Sequence, residues 1–556
     1  MLFGVVVGCL ASILAIIFVE SFTFLYQAII GKAVEGANSG DFNIWLLILP
    51  VVGGLIVGAL LHSKKETKLF TLADLIGRTQ SQKPMLSWLE TLRNALASIL
   101  SIAFGASVGP YAPIANMGGN IGALISRFGR AEVSLGVGCG VAAAISTAFS
   151  APIAGIIFAH EVILRHYSLR AFAPITVASS VGFFISNYLF HRPPLLEVHG
   201  SRSIFAPEIL GFVLVGIVGA LVAVAFMRSI LFFLELAKRL SLPDFLKPAF
   251  AGLGIGLMAQ WIPEILGVGT AVQKAALIGQ QWDVVQLLII LVAKILATSL
   301  CIGFGFAGGV FSPSLLVGIL LGAALGHVAG WVYGDMSSGP VFYAVCGMVA
   351  VTSPIIGAPL TTILIVFELT RDYELTTAAM VSVVFSNVVA YRLFGRSLFD
   401  FQLKDQGLDL SMGRDQVVLQ QTGIQEFVQT DFVNFSPESS VNEAHDRMMD
   451  NQITEGYVVD DLGKLVGKLD LHGIIVQLEA GQTELPVAAA MNTVDLCFEQ
   501  SDSVWGAMQK IRDINVESIP IVDQRGYFIG IIRPSSIVDA YLRIMQSLRA
   551  EEHAAN

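Results

Sequence analysis

One short pattern occurs twice in this chain, at a constant offset of 200 residues. Residues 104–113 read FGASVGPYAP and residues 304–313 read FGFAGGVFSP, so the first Phe, two glycines and the last Pro recur in register. Glycine also recurs five and nine residues after each copy. Hydrophobic segments interrupted by Gly and Pro at corresponding places in two halves indicate a membrane transport fold whose broken helices meet at a binding site near the bilayer midplane.

A second pair of motifs follows the first pair. An Ala-Pro dipeptide starts an apolar run that ends ten residues later at Glu161, and another starts a run that ends ten residues later at Glu368. An ionisable group within a membrane span is a functional candidate by default. Because these two glutamates occupy equivalent repeat positions, we interpret them as structural caps or bridges at the membrane boundary.

The composition predicts a polytopic, all-α membrane protein. Mean hydropathy is +0.71, 54% of the 556 residues are hydrophobic and 14% are charged. Several apolar segments are shorter than the ~20 residues that cross a bilayer, so we expect tilted, re-entrant and broken helices around an internal site. The first 30 residues lack a basic start and a small-residue cleavage site, which favours a retained first helix. The apolar segments lie near residues 1–30, 44–62, 91–107, 111–127, 134–149, 151–165, 171–191, 207–235, 247–261, 284–302, 313–333, 340–353, 358–370 and 374–394.

The acidic charge is concentrated in a C-terminal tail. Residues 401–556 contain 24 of the 43 acidic and 11 of the 33 basic side chains, which predicts a tail domain in water. From about residue 424 a second repeat appears at an offset of 63, in which a Val-Asp-x-x-Gly segment at 459–463 returns at 522–526. Each copy reads as a helix, a strand, a turn and a strand. The tail is therefore predicted to be a paired α/β module.

These patterns predict the domain boundaries. We expect a membrane domain over residues 1–410, with repeats at about 1–192 and 203–410. The five cysteines have no metal-ligand or CxxC spacing, and nothing indicates nucleic-acid binding. A basic loop between two early apolar segments favours a cytoplasmic position for that loop; its residues are Lys64, Lys65, Lys68, Arg78 and Lys83. The other predicted boundaries are 411–423 for a linker, 424–482 and 483–548 for the tail copies, and 549–556 for the end of the tail.

Several segments resemble one family of membrane proteins. GVFSP at 309–313 resembles the GxFxP anion-site motif of the CLC chloride channel and transporter family. FELTRDYEL at 367–375 resembles that family's FELTGDY segment, and GVGT at 267–270 is also similar. The tail resembles a tandem pair of cystathionine-β-synthase-type (CBS) domains, which many CLC proteins carry. The chain is therefore identified as a member of the CLC family over nearly its whole length.

The resemblance implies a fold, an assembly and a ligand. It implies an inverted-repeat CLC fold of tilted and broken helices, plus a cytoplasmic α/β tandem CBS module. It also implies a homodimer in the lipid bilayer, with one pore in each subunit for a small inorganic anion such as chloride. We expect an integral protein of a prokaryotic inner membrane, without a metal or cofactor.

The second copy of the repeat keeps the family's anion-site pattern. A helix N-terminus presents unpaired N–H groups and the positive end of the helix dipole, so it binds an anion without a buried cation. The resemblance places the backbone amides of Gly309, Val310 and Phe311 at the anion, with Val310 and Phe311 as the central donors. Glycine at this position permits a close approach.

The first copy departs from the family pattern. The family's GREGP motif appears here as GPYAP, so Tyr111, between Pro110 and Ala112, occupies the position of the glutamate that gates the pore and exchanges protons. Glutamate with a pKa of ~4.3 can be shifted into a working range by burial, whereas tyrosine near ~10 does not cycle easily at neutral pH. Proline also lacks an N–H donor. The family's second proton-handling glutamate falls at Val162. Uncoupled transport is therefore expected.

Two inner positions are also changed. By ungapped alignment Phe70 replaces a serine that coordinates the inner anion, with Thr67 or Thr71 as alternative hydroxyl donors, and Phe399 replaces the inner-gate tyrosine. Phenylalanine has no hydroxyl, so an anion there would contact backbone N–H groups and weakly positive ring edges. His166 and the neighbouring histidine at 160 are alternative proton carriers, although packing roles are favoured for both.

We predict passive permeation of chloride or a similar anion. The first alternative is an anion/proton antiporter, or a carrier of another anion, that uses a non-standard proton group. The second is a CBS-based regulatory or assembly protein whose membrane domain conducts poorly. The CBS copies lack the Thr and Asp of the family's nucleotide motif, so dimerisation and docking are favoured there, with Arg533 as the candidate phosphate contact. No cluster of nucleophile, base and orienting acid indicates an enzyme.

Overall fold

The structure of the chain is a computed structural model. It describes residues 1–35, 42–62, 69–81, 84–129, 131–191, 206–278, 282–409, 414–494, 496–511 and 516–553. Four lysines of the predicted basic loop (Lys64, Lys65, Lys68 and Lys83) and the candidate hydroxyl donor Thr67 lie outside the described residues. The same holds for residues 192–205 between the repeats and 411–413 of the predicted linker.

Residues 1–408 form one compact helical unit. Its first half contains α1 (Leu2–Tyr26), α2 (Lys32–Glu35), α3 (Ile44–His62), α4 (Leu72–Gln80), α5 (Trp88–Ala103), α6 (Tyr111–Gly129), α7 (Val133–Phe149), α8 (Pro152–Phe158) and α9 (Leu169–Phe184). π-Helical turns continue α1, α8 and α9 over Gln27–Gly31, Ala159–Leu164 and Ile185–Leu189. The second half contains α10 (Ile209–Arg239), α11 (Lys247–Met258), α12 (Thr270–Ile278), α13 (Val284–Gly303), α14 (Phe311–Tyr333), α15 (Pro340–Ile356), α16 (Pro359–Thr370), α17 (Tyr373–Phe394) and α18 (Leu398–Asp405).

The mixture of long and short helices agrees with the expected broken-helix architecture. Among the described residues, seven helical segments are long and apolar enough to cross a membrane, while four further apolar helices have only 10–17 residues. The predicted apolar runs match observed helices to within a few residues. The short helices α4, α12 and α18 were not predicted as separate elements, because none of them is marked by its own apolar run.

The glycines that follow each repeat copy allow two pairs of helices to pack closely. α6 packs on α7, and α14 packs on α15. A Cβ added to Gly122 would lie 1.8 Å from the carbonyl oxygen of Gly136, and one added to Gly322 would lie 2.0 Å from that of Tyr343. Only glycine permits such an approach, as is common between membrane helices. The repeated glycines therefore place α6 and α14 equivalently in the two halves.

Residues 409–556 form a second compact unit. Its elements are α19 (Arg414–Gln421), β1 (Asn434–Phe435), α20 (Val441–Asp450), β2 (Glu455–Val459), β3 (Leu465–Asp470), α21 (Leu471–Glu479), α22 (Val487–Ala490), β4 (Phe498–Glu499), α23 (Val504–Ile511), β5 (Ile519–Val522), β6 (Phe528–Ile532) and α24 (Pro534–His553). In each three-stranded sheet the middle strand pairs with a parallel and an antiparallel neighbour. The predicted helix, strand, turn and strand occur in both copies. The two-residue strands β1 and β4 are too short to leave a sequence signal.

Candidate functional site

The two copies of the repeat meet at a pair of backbone hydrogen bonds. The Gly109 N–H donates to the Gly309 carbonyl at 2.7 Å, and the Gly309 N–H donates to the Gly109 carbonyl at 2.8 Å. A Cβ on Gly309 would lie only 2.6 Å from the Cβ of Ala112, so glycine is needed for this approach. Because each glycine lies two residues before a helix, α6 and α14 begin side by side.

Polar side chains from both halves hold the two loops that precede these helices. The hydroxyls of Ser107 and Thr298 are 2.9 Å apart, and the Ser107 N–H donates to the Cys301 Sγ at 3.1 Å. In the other direction, the Ala307 N–H donates to the Ser101 hydroxyl at 3.1 Å. All of these groups are buried. Each loop is thus anchored by the half of the chain to which it does not belong.

The start of α14 presents backbone donors at this junction. Val310 is its N-cap residue and Phe311 its first residue, and both are buried. Within the described part of the chain, neither N–H has a protein acceptor. The first turns of α6 and α14 contain no acidic residue. Two positive helix ends therefore converge without a neutralising carboxylate, and such an arrangement favours an anion.

Gly309 differs from our expectation. We predicted its amide as a third donor to the anion, but that N–H is already bonded to the Gly109 carbonyl. The assignment of Gly309 as a donor is therefore wrong, and its role is to allow the close approach. In the first copy, Pro110 has no N–H, and its carbonyl accepts from the Ile114 N–H at 3.0 Å as α6 begins.

Four aromatic rings surround the two helix starts. The Tyr111 ring stacks on Phe149 with centroids 4.2 Å apart, and it contacts Phe311 edge to face at 5.3 Å. Phe149 and Phe158 contact Phe311 at 5.2 and 6.2 Å. All four side chains are buried, with Tyr111 the most exposed at 6%. Sequence reasoning missed Phe149 and Phe158, whose only signal is that each lies at or near the end of an apolar run.

Comparison with known proteins identifies the membrane unit. The profile of the voltage gated chloride channel family matches residues 53–391. The chain belongs to this family, the CLC family. CBS domain profiles match residues 424–479 and 487–543. The membrane unit is accordingly an anion-transport domain of a CLC protein, and CLC proteins are transporters or channels.

Relatives of this CLC protein include channels and exchangers. It is 29% identical over 414 residues to the chloride channel protein CLC-f of Arabidopsis thaliana, a match covering 67% of this chain and 52% of that protein, so the chain spans about half of that relative's length. It is 26% identical to an H(+)/Cl(-) exchange transporter, ClcA, of Salmonella agona, over 71% of this chain and 86% of the relative. The crystal structure of a slow cyanobacterial Cl-/H+ antiporter shares the fold, with a TM-score of 0.66 and 22% identity over 73% of this chain and 97% of that one.

Phe70 is held by its backbone in this CLC protein. Its N–H donates to Asn94 Oδ1 at 3.2 Å, its carbonyl accepts from Asn116 Nδ2 at 3.1 Å, and its ring lies under the Arg78 guanidinium. The alternative donor Thr71 is the N-cap of α4, and its hydroxyl donates to Asp74 Oδ2 at 2.7 Å. The hydroxyl of Thr71 is thus engaged in helix capping, so the expectation that it serves the anion is wrong.

A small cavity joins the surroundings of Phe70 to those of the helix starts. Its lining includes Phe70, Ala112, Asn116, Asn120 and Gly308. Its volume of ≈ 20 Å³ is room for about one water molecule. The side-chain oxygens of both asparagines are buried without a partner among the described groups. These oxygens are acceptors, so the cavity favours water over an anion.

The remaining predicted residues lie on other elements. Phe399 is buried near the start of α18, which packs against α4 and α15. The Ser397 side chain and Asp400 form a capping box that fixes where this helix begins. Val162 is buried in the π-helical turn Ala159–Leu164, which packs against α4, α7 and α8. Phe399 and Val162 are therefore positioned by helices other than α6 and α14.

Glu161 and Glu368 cap each other's helices. The Glu161 carboxylate accepts from the N–H groups of Leu360 and Thr361 at 2.9 and 2.8 Å and from the Thr361 hydroxyl at 2.6 Å. The Glu368 carboxylate accepts from the N–H groups of Ile153 and Ala154 at 2.8 and 2.7 Å. Each glutamate at the end of one helical segment thus binds the start of its repeat counterpart. The expected structural role is confirmed.

Proposed function

We propose that this CLC protein conducts chloride or a similar small anion passively, without proton coupling, through one pore in each subunit of a homodimer. The observation that supports this most is the convergence of α6 and α14, whose first turns carry no carboxylate. The central site uses the backbone amides of Val310 and Phe311, which have no protein acceptor among the described residues. Positive helix ends lower the free energy of an anion in the bilayer without a titratable partner.

Tyr111 forms the outer gate in this proposal. Its ring stacks on Phe149 and meets Phe311 edge to face at the start of α6, so an anion that leaves the central site must displace it or pass its edge. Pro110 adds no donor beside it. Neither Tyr111 nor Val162 is a carboxylic acid, so the usual proton route of an exchanger lacks its groups at both positions. Chloride movement is then driven by its own gradient and the membrane potential.

Phe399 and Phe70 form the inner boundary of the pathway. Both are buried aromatic residues. Because the Phe70 N–H is bonded to Asn94, only its ring edge is offered to an anion. Weak binding at the inner end favours release, as conduction requires.

The tail lies in the cytoplasm and serves dimerisation and docking, and the protein resides in a prokaryotic inner membrane.

A flux measurement tests the proposal. The purified protein is reconstituted in liposomes with equal chloride on both sides and a proton gradient as the only driving force. The expected result is no uphill chloride movement, together with efflux when a chloride gradient is imposed. Robust chloride accumulation driven by protons would overturn uncoupled transport. Anomalous density for bromide near Val310 provides an independent test of the central site.

One observation favours anion/proton exchange as a second candidate. His160 is 1% exposed, its Nδ1 lies 3.0 Å from the His166 carbonyl, and its Nε2 has no partner among the described groups. A buried imidazole with one unpaired nitrogen is a proton carrier of the required kind. If the parent protein moves protons in fixed ratio to chloride and His160→Gln abolishes only the proton flux, this candidate replaces the first.

A further inference from the structure

Lys294 is a fully buried basic residue in the middle of the apolar helix α13. Its side chain is 0% exposed, and its Nζ donates to the carbonyl oxygens of Ile265 and Gly267, each at 2.8 Å. No ion pair joins it to a carboxylate of the described residues. A buried ammonium without a counter-ion is costly at membrane depth and usually marks an ion pathway. Lys294 therefore needs a functional explanation.

The side chains on one face of α13 connect Lys294 to the two helix starts. Thr298 and Cys301 follow at i+4 and i+7, so they share the face of Lys294, and both contact Ser107 in the loop that leads to α6. Gly267, which Lys294 holds, donates its own N–H to the carbonyl of the same loop at residue 105, at 3.1 Å. The ammonium thus lies behind the loop that carries the junction.

Contacts on the other side reach α14. A Cβ placed on Gly269 would be 3.7 Å from the Lys294 Nζ and 2.6 Å from the side chain of Leu316, which lies in the second turn of α14. Lys294 therefore binds the loop before α12, and that loop in turn contacts the loop before α6 and the second turn of α14. The loop before α6 and the start of α14 belong to the central anion site proposed above.

The first half of the chain shows that a charge is not required to hold such a loop. Asn94 lies at the offset of 200 from Lys294, and its Oδ1 accepts from the N–H of Phe70 in the loop before α4. Its Nδ2 donates to the Glu90 carbonyl. A neutral amide thus anchors the equivalent loop. Only the second half uses an ammonium in this position.

We propose that Lys294 supplies a positive charge to the anion pathway and thereby raises anion affinity at the starts of α6 and α14. This inference rests on the proposed function of that site. Seven residues of helix separate Lys294 from Cys301, which binds the loop before α6, so the ammonium is taken to lie on the order of 10 Å from the junction. At that separation and an effective dielectric constant of ~20, one charge changes anion affinity by about tenfold. Lys294 thus positions the loop before α12 through its hydrogen bonds, and its charge attracts the anion.

Three substitutions separate the charge from the hydrogen bonds. Lys294→Arg keeps the charge, Lys294→Gln keeps donors to the carbonyls without it, and Lys294→Met removes both. Lys238→Met is the matched control, because it removes an exposed lysine at the end of α10 in the same domain. Each full-length protein is purified, its folding is checked by thermal melting, and its bromide affinity is measured by titration calorimetry alongside chloride efflux.

The expected bromide affinity falls by about tenfold in Lys294→Gln and at least as much in Lys294→Met, while Lys294→Arg and the control stay near the parent. A folded Gln variant that binds bromide as tightly as the parent overturns the inference. An Arg variant as weak as the Gln variant also overturns it. If the parent itself binds and conducts no halide, the proposed function fails instead, so the two failures are distinguishable.

Discussion

Removal of the Tyr111 ring is expected to accelerate anion permeation. The ring is 6% exposed and makes two aromatic contacts, with Phe149 at 4.2 Å and with Phe311 at 5.3 Å. Each such pair contributes about 0.5–1.5 kcal/mol, so displacing the ring requires about 1–3 kcal/mol. At about 1.4 kcal/mol for each factor of ten, Tyr111→Ala should raise the chloride flux by about 5-fold to 150-fold.

The measurement is chloride efflux from liposomes that contain one dimer or fewer per vesicle, with potassium and valinomycin clamping the membrane potential. Tyr111→Phe is the matched control, because it keeps the ring and both contacts and should change the flux by less than about threefold. Tyr111→Glu restores the carboxylate of the family motif. Because glutamate titrates near ~4.3 and burial raises that value, its flux should become dependent on pH.

Two results would refute this reasoning. The first is a folded Tyr111→Ala protein whose flux equals or falls below that of the parent, which would show that the ring is not the barrier. The second is a Tyr111→Phe protein that is as fast as the Ala variant, which would assign the barrier to the hydroxyl. Melting curves and gel filtration establish folding first, since loss of a buried aromatic ring costs about 3–5 kcal/mol of stability.

Three further substitutions and one control variant test the structure. Gly309→Ala should abolish anion flux in a folded protein, because its Cβ would lie 2.6 Å from that of Ala112; persistent efflux would contradict the close approach. Glu161→Gln should destabilise the membrane unit by about 1–3 kcal/mol, because the carboxylate accepts three hydrogen bonds at the start of α16. The control is Glu235→Gln on the surface, which should leave the melting temperature unchanged. If both variants lowered the melting temperature equally, the capping role of Glu161 would be disproved. Burial raises the pKa of Tyr457 in the tail. Its contribution to the stability of the tail is therefore complete below pH ~10, the pKa of tyrosine in an unfolded chain, and falls as the pH rises above that value. In Tyr457→Phe the melting temperature should fall less steeply with rising alkaline pH than in the parent. An unchanged slope would show that another group causes the decline.

Apolar runs predicted most of the helices of the membrane unit. The runs near 284–302 and 374–394 correspond to α13 and α17, since a lipid-exposed chain satisfies its backbone groups only as a helix. The helices α4 and α12 were not predicted because each has only nine residues and no apolar run of its own. In the tail, alternation and Gly-containing turns predicted the hairpins, which are local structures.

The residues of the candidate site were predicted unevenly. Val310, Phe311 and Tyr111 were located by the repeat together with its resemblance to the CLC motifs, and the structure brings them together at the starts of two adjacent helices. The Gly309 amide was assigned to the anion, yet it binds the carbonyl of Gly109. The Thr71 hydroxyl was an alternative donor, yet it caps α4. Both errors concern hydrogen-bond partners, which residue types and spacing do not specify.

The doubled pattern and the apolar composition were enough to predict the membrane class and the two helix starts, because Gly and Pro constrain the local backbone and apolar length limits the choice of element. The motifs that resemble the CLC family were enough to predict the family. The sequence patterns were not enough to identify the charge of Lys294 near these two helix starts. In the sequence, Lys294 is one lysine within an apolar run. Its significance comes from the carbonyls that it binds and the loops that it borders, and these lie far from it along the chain. Packing between distant segments decides which N–H groups remain available to an anion, which ring covers them and which charge lies nearby, since all three depend on contacts across the repeat.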